Sequence, residues 1–549
     1  MTQTLAHLVV VPIVLPLVAA ALLVLLRRKR RRIQSLINVC ATLAGLLVAA
    51  EMLRRIDAHG GAAGVYLASN WEAPFGIVLV ADRLSALMLV LVSVVSFCAA
   101  LYAEAGWARV GVYFHPLFQI QLMGLNGAFL TGDLFNLFVF FEVMLAASYG
   151  LQLHGSGWPR VKSGLHYIAV NLLASSLFLV GLALLYGVTG TLSMAHMASR
   201  LAFVPATDRG LLHTGAAILA VAFLIKAAIW PMNAWLVPAY TAASAPVAAL
   251  FALMTKVGIY VFVRLWTLFF SDASPSAHFG APVLLCGGLA TIAFGTVGLM
   301  SSMRLDRIAG FSVAVSSGTL LAALSMGVPS VTAAALFYLL SATLAVSALF
   351  LLVELVDRVA SDDQSPPDVD VEADDDTNLD DDEVPLVGKA FPVSIALLGL
   401  AFTSCALLVA GLPPLSGFVA KLSLLSSVLS ADQSGQANAG APISGAWWFV
   451  GLLLFAGFVA TVSFSRTGIR HFWATNWGVL PSIKVVEAFA VLALLCSCVV
   501  LTVWAEPVLR YTRATASELH APKAYIEAVM SMKPRPGPTR SSVEREAIP

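Results

Sequence analysis

The chain is a succession of apolar blocks of membrane-crossing length, and that pattern leaves few folds open. A bilayer core needs about 20 predominantly apolar residues for each helical crossing. Blocks of that kind run near 5–26, 33–53, 84–105, 112–130, 133–153, 164–187, 211–240, 243–269, 279–302, 305–326, 330–356, 390–430, 445–465 and 483–505. Composition agrees. Of 549 residues, 59% are apolar and 11% charged, against about 25% charged in an ordinary soluble chain. A soluble multidomain enzyme and a disordered chain are both excluded. The expected fold class is an all-α membrane protein with about fourteen transmembrane helices.

Charge and motif content narrow the chemistry. Net charge is +1, and no basic domain is present, so nucleic acid is not an expected partner. Cys40, Cys98, Cys286, Cys405, Cys496 and Cys498 all lie in apolar blocks without a CxxC pair. That leaves no framework for an iron–sulfur cluster or a zinc site, and the cysteines read as small packing residues. His154, His166, His196, His213 and His471 fall near block ends and read as exposed loop histidines. No HExxH, P-loop or Rossmann glycine pattern occurs, so no metal and no cofactor is expected. The first block carries its basic cluster, Arg27 to Arg32, on its C-terminal side. It is therefore expected to be a membrane helix and not a cleaved signal. The same cluster places that loop in the cytoplasm. Alternation then puts Arg160, Lys162, Arg304, Arg307, Arg466, Arg470 and Lys484 on the same side.

Two segments read as soluble. Residues 361–383 are strongly acidic, with Asp374-Asp375-Asp376 and Asp380-Asp381-Asp382-Glu383; like charges that cannot be buried predict a solvated connector. The tail from Glu506 predicts one surface helix around Val508–His520, followed from Lys533 by an unstructured Pro- and Arg-rich end.

Against this apolar background, three of the nine lysines stand out: Lys226, Lys256 and Lys421. A charge at mid-helix costs about 2.5–3.5 kcal/mol even on the lenient insertion scale. Lys256 could escape much of that by snorkelling to the headgroups. Lys226 and Lys421 lie deeper in their blocks, beside Trp230-Pro231 and Gly411-Leu412-Pro413-Pro414. The block 390–430 would be about 60 Å long as a straight helix, too long for one crossing. Helices broken inside the membrane fit both blocks, and such backbone is tolerated only within protein or beside a wet cavity. Taking an ammonium out of water favours loss of its proton, so a lysine at such a break is a candidate proton carrier. Glu142 is the matching acid, with Phe135 and Phe138 on its helix face and Lys226 its best cationic partner. A purely structural ion pair is the competing reading. Asp133 or Thr131 is expected to cap the helix that carries Glu142.

These residues form an ordered constellation. Gly132-Asp133-Leu134-Phe135 leads to Glu142-Val143-Met144. Lys226 is followed by Pro231, Trp235-Leu236 and Pro238-Ala239-Tyr240. Ala245-Pro246 and Lys256-Val257-Gly258-Ile259-Tyr260 follow, with Arg264. Over about residues 80–465 this resembles the proton-translocating antiporter-like family. Its members include the large membrane subunits of respiratory complex I, membrane hydrogenases and multisubunit (Mrp-type) cation/proton antiporters. Trp71-Glu72-Ala73-Pro74 with Asp82-Arg83, Ser465-Arg466 with Phe472-Trp473, and the tail Ala505-Glu506-Pro507 with Tyr511, Leu519-His520 and Tyr525 resemble the D subunit of the Mrp type.

The resemblance implies two inverted five-helix repeats, each with one broken helix. It divides the chain into N-terminal helices (1–110), a first repeat (111–270), a second repeat (279–465, with an acidic loop at 358–386) and a last helix with a tail (482–549). It implies proton transfer through Glu142, Lys226, Lys256 and Lys421. The implied partners are the other hydrophobic subunits of the complex, Na⁺ or K⁺ with H⁺, and membrane lipid. The implied function is a subunit of a monovalent cation/proton antiporter in the cell inner (plasma) membrane. The alternative is a proton-pumping subunit of a complex I-like oxidoreductase or hydrogenase. The chain departs from the family pattern at Ser316 and Ser317, where many relatives carry histidine, and at Val346, where many carry lysine. Water with Ser341, Thr343 and Ser347 is the expected bridge there.

Overall fold

The computed structural model describes residues 7–26, 30–61, 64–111, 113–272, 274–362, 393–433, 444–473 and 483–534. The acidic segment from residue 363 and the tail beyond 534 lie outside the described residues. Twelve described helices are long and apolar enough to cross a membrane. Val11–Leu25 (15 residues) and Phe114–Leu130 (17 residues) are shorter and make up the expected fourteen.

Three helices precede the repeats: α1 (Val11–Leu25), α2 (Arg31–Ala58) and α3 (Arg83–Glu104). Between α2 and α3 lies a hairpin that the hydropathy pattern did not foreshadow. Its strands β1 (Gly64–Leu67) and β2 (Val78–Ala81) pair antiparallel with Gly64 opposite Ala81. Four residues each is too short for a periodicity signal to emerge from noise. The first repeat comprises α4 (Phe114–Leu130), α5 (Leu134–Gln152), α6 (Trp158–Thr189), a short α7 (Met194–Leu201), α8 (Arg209–Lys226), α9 (Leu236–Ala242) and α10 (Ala245–Phe269). The second comprises α11 (Ala281–Ser301), α12 (Leu305–Leu324), α13 (Pro329–Asp362), α14 (Val393–Ala410), α15 (Ser416–Gln433) and α16 (Ser444–Gly468). The chain closes with α17 (Val485–Val503), α18 (Ala505–His520) and α19 (Lys523–Met530). The tail thus forms two surface helices where one was expected.

Local chemistry sets the boundaries. Proline sits in the first turn of α6, α10 and α11, where its missing N–H costs nothing. Asp133, and not Thr131, caps α5 by accepting from the Asn136 amide at 2.8 Å.

An internal repeat is visible residue by residue. α5 and α12 begin 171 residues apart (305 − 134), as do α6 and α13 (329 − 158). Packing repeats at the same offset. A Cβ on Gly124 would lie 2.7 Å from Met144, and one on Gly127 would lie 2.2 Å from Phe140. Gly295 and Gly298 meet Val315 and Phe311 in the same way, at 2.7 and 2.2 Å. Small residues let helix backbones approach closely, which is how helices associate where lipid removes the hydrophobic drive. Ser148 and Tyr167 hydrogen-bond at 2.8 Å, and their counterparts Thr319 and Tyr338 also meet.

The two repeats run in opposite directions. α4 begins where Phe114 packs on His154, beside Trp107 and Arg160. α11 finishes at that same end, where the Arg466 guanidinium donates to the Met300 and Ser302 carbonyls. Lys162, Arg304 and Arg307 share one groove there, so the basic residues assigned to the cytoplasm do collect at one end. At the opposite end a clasp closes the bundle. Asp82 and Arg264 form a buried bidentate pair at 2.5 and 2.7 Å. Arg83 pairs with Glu518, Tyr511 donates to the Arg83 carbonyl at 3.0 Å, and Thr332 meets His520 at 3.0 Å.

Two side-chain expectations need correction. Cys40, Cys286 and Cys496 are exposed on the bundle surface, whereas Cys98, Cys405 and Cys498 are buried. A helix in lipid shows apolar residues on every face, so sequence alone does not separate core from lipid-facing positions. His154 is not an exposed loop histidine: it is buried and its Nε2 meets the Trp107 carbonyl at 3.0 Å.

Candidate proton path in the membrane interior

Helix α8 stops at Lys226 because the next residues cannot continue it. Ala228 takes a left-handed φ of 56° and Pro231 follows. The groups released by the break are met locally. Trp235 Nε1 donates to the Ile225 carbonyl at 3.2 Å, and the Trp230 amide donates to Thr291 Oγ1 at 2.9 Å. Lys226 lies 4% exposed in the last turn of α8, where the helix dipole favours a cation. The Phe141 ring faces its ammonium at 4.9 Å.

Glu142 and Lys226 do not touch. Ser175 stands between them: Lys226 Nζ donates to Ser175 Oγ at 3.3 Å, and Ser175 Oγ donates to Glu142 Oε1. The expected pair is therefore a three-membered chain through a hydroxyl. Ser175 was not identified from sequence, although a signal exists. Ser163, Tyr167, Asn171 and Ser175 recur every four residues along α6, a polar stripe on one face, and all four are buried.

The second break is built differently. α14 ends at Ala410, Gly411 takes a φ of 78°, and α15 starts at Ser416. Lys226 closes its first half-helix, whereas Lys421 sits in the second half-helix and reaches back across the break. Its Nζ donates to the Val409 and Ala410 carbonyls at 3.0 and 2.8 Å. Both ammonium groups thus end at the C-terminus of a first half-helix, although the two lysines are not equivalent in the chain. The 195-residue separation (421 − 226) exceeds the 171-residue repeat by 24, and the acidic segment lies within that interval.

Lys256 joins the two halves. It lies on α10, whose apolar window is buried throughout. At 1% exposure it has no route to the headgroups, so the snorkelling alternative is set aside. Its Nζ donates to Ser316 Oγ at 2.5 Å and to Ser317 Oγ at 3.2 Å. The two serines that depart from the family pattern are therefore its direct partners. From Ser316 a cavity of about 30 Å³ leads to Lys421, also lined by Tyr338, Ser341 and Val346. That volume holds roughly one or two waters. Ser341 also bonds Ser416 across the break at 2.9 Å, while Thr343 and Ser347 bond the Leu339 and Ala249 carbonyls. Of the three hydroxyls expected to bridge, only Ser341 lines the cavity.

At the 171-residue offset, Glu142 corresponds to Val313 and Ser175 to Val346. The second repeat keeps its lysine but carries neither the carboxylate nor the hydroxyl. Among the described residues, no group of three or more His, Cys, Asp or Glu could hold a metal ion.

Comparison with known proteins agrees with this architecture. Residues 131–443 match the family described as NADH:quinone oxidoreductase/Mrp antiporter, TM. A protein of Rhizobium meliloti, named as the D subunit of a probable K(+)/H(+) antiporter, is 50% identical over 98% of this chain and 100% of its own length. The D subunit of the Na(+)/H(+) antiporter of Alkalihalophilus pseudofirmus is 31% identical, over 95% of this chain and 99% of its own. A chain of the Mrp complex from Dietzia sp. superposes with a TM-score of 0.78 at 26% identity, covering 96% of this chain and 100% of that one. With two inverted repeats, two broken helices and a family match across most of both repeats, this chain belongs to the NADH:quinone oxidoreductase/Mrp antiporter transmembrane family.

Proposed function

We propose that the chain is the D-type, proton-carrying subunit of a multisubunit monovalent cation/proton antiporter. The observation that carries this reading is the buried sequence Glu142–Ser175–Lys226, then Lys256 on Ser316 and Ser317, then the small cavity that ends at Lys421. Each titratable group meets a hydroxyl, a backbone carbonyl or a space sized for water. A proton can pass by local bond exchange without a charge being stranded in lipid. Changing the Glu142–Lys226 separation alters the charge that Lys226 feels, and this couples proton movement to rearrangement at the break. The partners are the other hydrophobic subunits of the assembly, with H⁺ and either K⁺ or Na⁺. K⁺ is the first cation to test, since the relative named for K(+)/H(+) exchange is 50% identical while the one named for Na(+)/H(+) is 31% identical.

The test uses everted membrane vesicles that contain the chain with its co-encoded subunits. A respiratory donor builds a proton gradient, K⁺ or Na⁺ is added, and a dye follows the gradient. Collapse on cation addition, lost in Lys226→Ala at matched expression, is the expected result. No cation-dependent collapse from an intact assembly would favour a redox-driven pump. Equal collapse with and without Lys226 would reduce the chain to a scaffold.

A further inference from the structure

A groove of about 820 Å³ opens at the basic end of the bundle, between α6, the half-helix α9 and the α11–α12 turn. Its rim carries Lys162, His166, Arg304 and Arg307, and its described lining contains no Asp or Glu. Arg304 is held by Asp306 at 2.5 and 3.1 Å. Lys162 and Arg307 form no ion pair among the described residues. Asn233 also lines the groove. It is 3% exposed, and its amide nitrogen, a hydrogen-bond donor, has no acceptor among the described residues. Buried donors are nearly always satisfied. An orphaned donor beside cations that lack counter-ions matches an oxyanion ligand. Below the rim the groove turns apolar at Val237, Phe294 and Phe311. The adjoining face of α11 presents Val297 and Met300 outward, 69% and 63% exposed.

We propose that this groove binds the headgroup of an anionic phospholipid of the inner leaflet. The phosphate sits among Lys162, Arg304 and Arg307, and the acyl chains run along Phe294 and Val297. Basic pockets between transmembrane helices at the cytoplasmic side suit such headgroups. A free phosphate would engage the cationic rim alone and leave the apolar walls uncovered; a lipid matches both. One wall is α9, the half-helix that follows the break at Lys226. The bound lipid therefore rests against the element whose position sets the geometry of that break.

The experiment uses the assembled complex in phosphatidylcholine nanodiscs doped with photoreactive phosphatidylglycerol, with labelled peptides mapped after illumination. Labelling is expected in the peptides around Lys162, Asn233 and Arg304. Unlabelled phosphatidylglycerol should compete at least tenfold better than phosphatidylcholine, and millimolar inorganic phosphate should not compete. The variant Lys162→Gln/Arg304→Gln/Arg307→Gln is expected to lose about nine-tenths of the labelling. The Arg510→Gln/Arg513→Gln/Lys523→Gln variant, which removes the same number of charges from the tail, should keep it. Equal competition by phosphatidylcholine, displacement by phosphate, labelling confined to other peptides, or undiminished labelling of the triple variant would each overturn the proposal. The competition arms use the unaltered protein, so they decide the matter even where the triple variant does not assemble.

Discussion

Removal of the Ser175 hydroxyl separates the two roles that the Glu142–Lys226 arrangement combines. The two hydrogen bonds through Ser175 place the charges no more than about 6 Å apart. At an effective dielectric of about 20, unit charges at that distance attract by about 3 kcal/mol. Ser175→Ala leaves this attraction in place and deletes the hydroxyl between the groups. A hydrogen bond to a charged group contributes about 1.5–3 kcal/mol, and about 1.36 kcal/mol is a factor of ten in rate. Ser175→Ala is therefore expected to slow cation-driven proton exchange by about 10- to 100-fold with assembly unchanged. Ser175→Thr keeps the hydroxyl and should recover most of the rate. Glu142→Gln loses both the attraction and the relay and should be the slowest of the three. The assay is the initial rate of gradient collapse in everted vesicles at matched expression. Wild-type exchange in Ser175→Ala, or failure of Ser175→Thr to exceed it, would refute a relay through this hydroxyl.

Further outcomes follow from the same geometry. A Cβ at Gly411 would lie 2.4 Å from Lys421 Cδ, at a φ of 78°, so Gly411→Ala should displace the lysine. It should also add about 1–2 kcal/mol of backbone strain, seen as a lower melting temperature and slower exchange. Breaking the buried Asp82–Arg264 pair with Asp82→Asn should destabilise the chain by about 3–5 kcal/mol, measured as thermal unfolding in detergent. The paired apolar variant Asp82→Leu/Arg264→Met should restore much of the loss. Burial pushes the Glu518 carboxyl up to about 7, against the opposing pull of Arg83. Proton binding then favours the docked tail: the contribution is complete below about 4.5 and is lost as pH rises through about 7. The protection factors of Ala505–His520, with the intrinsic pH dependence of amide exchange divided out, should fall from pH 5.5 to pH 8 in the wild type and lose that fall in Glu518→Gln.

The sequence carried the helix count and both breaks because length and proline placement are local properties. It carried Glu142, Lys226, Lys256 and Lys421 because a charge in an apolar block is conspicuous. Their partners were less visible. Ser175 is an ordinary residue in any membrane helix, and Ser316 and Ser317 stood out only as departures from the family pattern; only the fold shows which of many serines and threonines faces a charge. The Asp82–Arg264 pair spans 182 positions and could not be matched from one chain. The inequivalence of the two lysines was hidden for another reason. Each lies beside a proline break, and which half-helix holds the charge depends on where the side chain reaches.

The clasp at the end opposite the basic groove bears on how the protein is made. Arg83 and Glu518 are 435 positions apart, and Tyr511 and Arg83 are 428 apart. Helix α3 thus enters the membrane well before the residues that close over its first turn leave the ribosome, 435 and 428 positions later. Until then the Asp82–Arg264 pair, which borders the cavity shared with Glu518 and Tyr525, lacks the Tyr525 ring that faces the Arg264 guanidinium at 5.3 Å. A chain released early, or clipped after Val503, would display this end of the bundle open to any protease that surveys nascent membrane proteins.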